Sequence, residues 1–236
     1  MEQITINDIT IDVIRKDIKN IHLAVYPPTG KIRISVPKRI DEETIRLFIA
    51  SKIHWLRKHL DSYKNQKRLP PLEYKSNDSI YYLGNQYLLN VVVTTKLPKI
   101  ILRSPSHIDM YVRPNTSLAQ RQKLLKEWYR TELKNIVPDL LYFWERKIQV
   151  RINEWNVKQM KTKWGTCNIQ KKRIWLSLEL AKKPLHLIEY VVVHELIHLL
   201  ERRHNDRFRK YMTLYLPHWK ALKKELNKQS DGHTLP

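Results

Sequence analysis

The sequence predicts an α+β fold, and three observations carry that expectation. Apolar and polar residues alternate in the manner of strands over residues 4–36 and again over 79–113. Each of these blocks is followed by a stretch with helical apolar spacing. Residues 185–200, LHLIEYVVVHELIHLL, are apolar nearly all the way round, the mark of a helix buried on most sides.

Taken in order, Ile4, Ile6, Ile9 and Ile11 open the first β block, followed by the run His22–Tyr26. Pro27, Pro28, Thr29 and Gly30 read as a turn, and Lys31–Val36 returns with clean period-two alternation. A helix is expected from Asp41, with Asp41 as N-cap and Glu42 and Glu43 at the positive end of the helix dipole. Ile45, Phe48, Ile49, Ile53, Leu56 and Leu60 share its apolar face. Residues 64–76 are polar, contain Pro70 and Pro71, and read as a linker.

The second β block begins with a hairpin, Tyr81–Tyr87 running into Leu88–Val93, and adds strands at Ile100–Leu102 and Ile108–Val112. The run Pro114–Ser117 caps a long helix marked by Leu118, Leu124, Leu125, Trp128, Leu133 and Ile136. Pro138 is expected to kink it or to start a new helix. Two short strands are expected near Val157–Lys163 and Arg173–Leu178, and Pro184 stands at the start of the apolar helix. Asn205 and Asp206 can cap a further helix carrying Phe208, Tyr211, Met212 and Leu214; Trp219, Leu222 and Leu226 follow Pro217. The expected organisation is a β-rich region with a helix over 1–76 and a second region over 77–236, which can also form one continuous domain.

Composition narrows the function classes. Of 236 residues, 42% are hydrophobic, enough for a true core, and only 4 are glycine, which excludes collagen-like and Gly-rich chains. A lone cysteine, Cys167, excludes an internal disulfide framework and any Cys-rich zinc finger. It suits a reducing compartment, and no stretch has the length and apolarity of a membrane span or a signal peptide, so the expected location is the cytoplasm with no membrane partner. The net charge is +21, from 44 Lys and Arg against 23 Asp and Glu. That invites a nucleic-acid reading. The charge is nevertheless spread over the whole chain, densest at 151–193, with no basic tail.

The apolar helix contains His194, Glu195 and His198 in the pattern His-Glu-x-x-His. Histidines at i and i+4 share one helix face, about 6 Å apart at Cβ, so both rings can meet one Zn²⁺. Glu195 is rotated about 100° from His194 and can reach a water on the metal as general base. A chance match occurs in roughly one such sequence in forty. Buried histidines and a buried glutamate each need partners, and a metal supplies them together. A catalytic zinc takes a third protein ligand. Glu201 lies about 10.5 Å along the helix axis from His194, too far for its short arm. His204 qualifies if the helix ends near Arg202 and Arg203 and the chain turns back, as the cap at Asn205 and Asp206 suggests; Glu201 is then a neighbouring acceptor or faces solvent.

With these residues in place, the segment from His194 to Phe208 resembles the active-site signature of the YgjP-like metallopeptidase domain, whose SprT-like and WLM relatives share the histidine at +10 and the aromatic residue four positions later. A second block, Lys161-Thr-Lys163-Trp164-Gly165-Thr166-Cys167, is similar to that family's Lys/Arg-x-x-Trp-Gly-Ser-Cys, with Thr166 keeping a hydroxyl where serine is commoner. The strand at Ile174–Leu178, Pro184, the approach Ile188–His194 and the Pro217-His-Trp219 run also fit. The resemblance implies a zincin-like metallopeptidase core over 77–236: an active-site helix, a small sheet and C-terminal helices behind an N-terminal β-hairpin and helix region. It implies one Zn²⁺ on His194, His198 and His204, and Glu195 as the base that polarises a zinc-bound water.

For the Lys161–Cys167 block, packing is one reading: Trp164 in the core, Gly165 permitting close approach, Cys167 as a small buried hydrophobe. The other places the block on the cleft wall, with Lys161, Lys163, Trp164 and Thr166 as substrate-binding residues. His22, His54, His59, His107, His186, His218 and His233 lack ligand spacing; of these His218 is the candidate transition-state donor. The leading function is zinc-dependent hydrolysis of protein or peptide substrates, including nucleic-acid-associated proteins, with DNA association through the basic surface. Two alternatives differ in class: a metal-dependent nucleoside triphosphate pyrophosphohydrolase with phosphates held by Lys161, Lys163, Lys171, Lys172 and Arg173, and a nucleic-acid-binding module with a structural metal.

Overall fold

The computed structural model of the chain describes residues 2–26, 30–65, 72–160 and 162–228. The expected turn at Pro27–Thr29, residues 66–71 of the expected linker, Lys161, His233 and the His59 side chain lie outside the described residues. The fold is mixed α+β, with three small sheets and several helices, and it parts into two compact units, Met1–Pro70 and Pro71–Pro236.

The first unit holds strands β1 (Glu2–Ile6), β2 (Ile9–Lys16), β3 (His22–Tyr26) and β4 (Lys31–Pro37) in the order β1-β2-β4-β3. β2 and β4 run parallel, and the outer pairs are antiparallel. Ile4, Ile11, Val13, Ile32, Ile34 and Val36 point to one face and are buried against Ile45, Ile49 and Leu56. Those last residues come from α1 (Glu42–Ser51) and α2 (Ile53–Asn65). Asp41 caps α1 by accepting a hydrogen bond from the Thr44 N–H at 2.7 Å. The single helix expected to run from Asp41 past Leu60 is instead broken at Lys52. There the Ser51 hydroxyl donates to the Phe48 carbonyl at 2.7 Å, and the Lys52 N–H turns to Ile49. Ser side chains compete with the helix ladder in this way.

The second unit opens with the same topology. β5 (Ser79–Tyr82), β6 (Asn85–Val93), β7 (Lys99–Leu102) and β8 (His107–Val112) lie in the order β5-β6-β8-β7, again with a parallel inner pair and antiparallel outer pairs. The β5–β6 hairpin turns on Leu83 and Gly84, both at positive φ, as a two-residue loop requires. A long helix follows, α3 (Leu118–Ile148), fixed at its start by a capping box between Ser117 and Gln120. Pro138 does not start a new helix: it sits inside a continuous 31-residue α3. Proline removes one backbone bond there, while Leu125, Tyr129, Leu133, Val137, Leu141, Trp144 and Ile148 anchor the same face in the core.

The last sheet is small and sits beside the site. It contains β9 (Glu154–Lys158), β10 (Gly165–Asn168) and β11 (Arg173–Ser177), ordered β10-β11-β9, so β10 is an edge strand. The strand expected near Val157–Lys163 is shifted toward β9, and β10 was not foreseen as a strand. A 3-10 turn over Leu178–Lys182 leads to α4 (Leu185–Ile197), then α5 (Asp206–Tyr215) and α6 (Trp219–Lys228). Every α4 residue from Leu187 to Ile197 except Glu189 is buried, as its all-round apolarity predicts. Among the described residues, no helix is long and apolar enough to cross a membrane.

Candidate metal centre

α4 is held in the core by its apolar residues, and that packing carries its polar ones inside. His194 and Glu195 are each 3% exposed. His198 follows one turn later as the C-cap of α4, with its ring centroid 4.9 Å from that of His194. The helix ends sooner than expected, at Ile197, and the chain tightens into short turns at Leu199 and Leu200. Arg203 then donates its N–H to the Glu201 carboxylate at 3.1 Å. Asn205 caps α5 by accepting from the Phe208 N–H at 3.0 Å. Between these two fixed points His204 is turned back over α4, its Nε2 3.0 Å from the His194 Nε2.

One ring nitrogen from each of His194, His198 and His204 therefore falls within 4.8 Å of the others. Imidazoles on a tetrahedral zinc hold their nitrogens roughly 3.3 Å apart, from bonds of about 2.0–2.1 Å. The His194–His204 pair, at 3.0 Å, is close to that value, and all three nitrogens lie within 4.8 Å. The protonation pattern fits as well. His198 Nδ1 lies 3.1 Å from the Glu201 carbonyl oxygen and donates to it, which leaves its Nε2 with a lone pair. Glu201 thus orients a ring through its backbone, not its carboxylate. Burial, then the neighbouring His198 and His204, holds the His194 pKa well below 6.5. Burial lowers His198 and His204 too. Neutral imidazoles are the form that binds metal. By donor chemistry, spacing and charge state, the three residues fit a metal ion.

Phe208 backs the cluster. Its ring centroid lies 5.0, 4.9 and 4.7 Å from those of His194, His198 and His204, and it is 2% exposed. Glu195 sits on the other side, against β10. A Cβ on Gly165 would stand 2.6 Å from the Glu195 Oε1 and 2.8 Å from its Cγ, so glycine is what lets the edge strand close on this carboxylate. Burial pushes the Glu195 pKa up to about 8, with the Lys163 charge acting the other way.

These groups floor a cleft of about 520 Å³. Lys163, Thr166, Cys167, Asn168 and Gln170 line one side, and Arg202 lines it from the turn after α4. Burial pushes the Cys167 thiol up to about 12, so it is no ready nucleophile. Of the residues expected to touch substrate, Lys163 and Thr166 line the cleft. Trp164 does not: it is 1% exposed and packs in the core, the fate of a large aromatic ring with an apolar pocket to fill. His218 is exposed just ahead of α6 and is not part of the lining. Arg202 carries no sequence signal as a lining residue, whereas the close approach expected at Gly165 is present and is made to Glu195. Phe208, the aromatic residue of the signature, is brought to the rings by the helix that Asn205 caps.

Comparison with known proteins bears on this arrangement. A family profile described as "YgjP-like, metallopeptidase domain" matches residues 19–229. No curated protein matches the chain. Among solved structures, the metallopeptidase zymogen abylysin of Pyrococcus abyssi aligns at 16% identity with a TM-score of 0.39, over 42% of this chain and 99% of its own. The metallopeptidase zymogen jannalysin of Methanocaldococcus jannaschii aligns at 22% identity with a TM-score of 0.34, over 41% and 95%.

Proposed function

The chain belongs to the YgjP-like metallopeptidase domain family, and from that premise we propose that it is a zinc-dependent peptidase with a zincin-like core over 77–236. His194, His198 and His204 would hold one Zn²⁺, and Glu195 would act as the general base. The observation that carries this reading is the convergence of three neutral imidazoles beside a buried glutamate on the floor of a cleft. When bound, zinc supplies a Lewis acid that polarises a peptide carbonyl and acidifies a water.

The chain's own residues do the rest. His198 is kept in one tautomer by the Glu201 carbonyl. Phe208 and the α4 core pack behind the rings and hold them in place, leaving their other side open to the cleft. Glu195 takes a proton from the attacking water as the new C–O bond forms and then gives it to the amine nitrogen, so that the peptide C–N bond breaks and a carboxylic acid and an amine leave. A carboxyl whose proton affinity is raised toward neutral pH suits both transfers. In this reading Lys163 and Thr166, which line the cleft, contact the substrate.

The direct test is Glu195→Gln, compared with wild type on denatured casein at equal zinc content. Loss of the base lowers turnover by about 10²–10⁴-fold, and a chelator abolishes the wild-type activity. Equal cleavage by the variant would sink the mechanism. A nucleoside triphosphate panel run beside casein tests pyrophosphohydrolysis. The net charge of +21 is what favours DNA-associated substrates, and a salt titration of DNA affinity tests that part separately.

A further inference from the structure

The cleft is bordered by positive charge. Lys163, ahead of β10, and Arg202, after α4, both line it and both are exposed. Among the described residues neither forms an ion pair. Among the described residues Glu195 is the one acidic side chain in the lining, and it is buried on the floor. Glu201, the acid nearest in sequence to Arg202, is not in the lining, and its carboxylate accepts the Arg203 N–H. The remaining polar rim is made of neutral groups: the amides of Asn168 and Gln170 and the Thr166 hydroxyl.

A substrate segment lying in this cleft meets two cations and no exposed anion. An acidic side chain is attracted, a neutral one gains little, and a basic one is repelled; such asymmetry governs selectivity and encounter rate. The net charge of +21 adds a field of the same sign. We propose that the cleft selects peptides with Asp or Glu beside the scissile bond, and that Lys163 and Arg202 are the residues that determine this specificity. The inference rests on the peptidase reading above but concerns recognition, not bond cleavage.

Its test separates the two. Three peptides are compared that differ only in carrying Glu, Gln or Lys on both sides of the scissile bond. Each is measured for kcat/KM with the zinc-loaded protein and, labelled with fluorescein, for affinity to Glu195→Gln by anisotropy. The Glu peptide is expected to exceed the Gln peptide about tenfold in both readouts, equivalent to about 1.4 kcal/mol, with the Lys peptide weakest. Adding Lys163→Gln with Arg202→Gln removes the preference, and Lys163→Glu with Arg202→Glu inverts it. A control pair, Lys58→Gln with Lys96→Gln, makes the same change in net charge outside the cleft and keeps the preference. Equal behaviour of the Glu and Gln peptides overturns the proposal, as does a control pair that matches the cleft pair. Cleavage without preference leaves the peptidase reading standing and the selectivity refuted. Preferential binding through Lys163 and Arg202 without any cleavage does the reverse.

Discussion

A glycine without unusual backbone geometry is informative at this site. Gly165 has no positive φ, so alanine fits its backbone; what alanine lacks is room, because its Cβ would stand 2.6 Å from the Glu195 Oε1. The Glu195 side chain is enclosed by the core and must move to relieve that contact. Misplacing a catalytic group by about 1 Å costs on the order of 10²-fold in rate. Gly165→Ala should therefore lower kcat by about 10–100-fold while KM, zinc content and the circular dichroism spectrum stay close to wild type. A loss of zinc or of folding in parallel with kcat would mean that the strand, not the carboxylate, had given way. The same residue-scale logic separates Lys163 from Trp164. They are adjacent in sequence, yet one lines the cleft and the other is 1% exposed in the core, where an indole finds more apolar contact than any rim offers.

At the scale of elements, the third histidine depends on a helix start. α5 begins immediately after His204, and its first turn places Phe208 against all three rings. Asn205 secures that turn through one hydrogen bond to the Phe208 N–H. Removing an N-cap costs about 0.5–2 kcal/mol. Asn205→Ala is thus expected to lower unfolding free energy by about 1 kcal/mol and also to weaken zinc affinity, measured by competition with a chromophoric chelator. Asn205→Asp, an equally good cap, should restore both. A stability loss with unchanged zinc affinity would detach α5 from the site. This cap was readable in the sequence because its signal is local: Asn and Asp directly before an apolar-periodic run. Asp41, Ser117 and the hairpins were readable for the same reason, and so was the convergence of His194, His198 and His204, from helix periodicity plus the coordination count. β10 was not. Gly165, Thr166, Cys167 and Asn168 show no alternation, and they form a strand only because β11, several residues later, offers them a partner. Arg202 escaped notice because what singles it out is a cavity, which no local pattern encodes.

For the whole molecule, the two units carry separate cores. One is built on Ile11, Ile34 and Ile45, the other on Leu133, Leu176 and Val192, and among the described residues no buried one belongs to both. All three histidines of the cluster lie in the Pro71–Pro236 unit. A ligand that binds only folded protein stabilises it by RT ln(1 + [L]/Kd), about 2.7 kcal/mol at a hundredfold excess over Kd. Zinc should add such an increment to the unfolding free energy of the wild type, read from thermal or denaturant unfolding with and without the metal. Ile34 is fully buried in the first core, so Ile34→Ala should cost that unit about 2–5 kcal/mol. Because it removes no ligand, it should leave the zinc increment and a stoichiometry of one ion unchanged. His204→Ala should do the opposite, sparing the metal-free stability, since the ring is only half-buried, while erasing the increment. If Ile34→Ala erased it instead, metal binding would depend on the first unit, and placing the whole site within Pro71–Pro236 would be wrong.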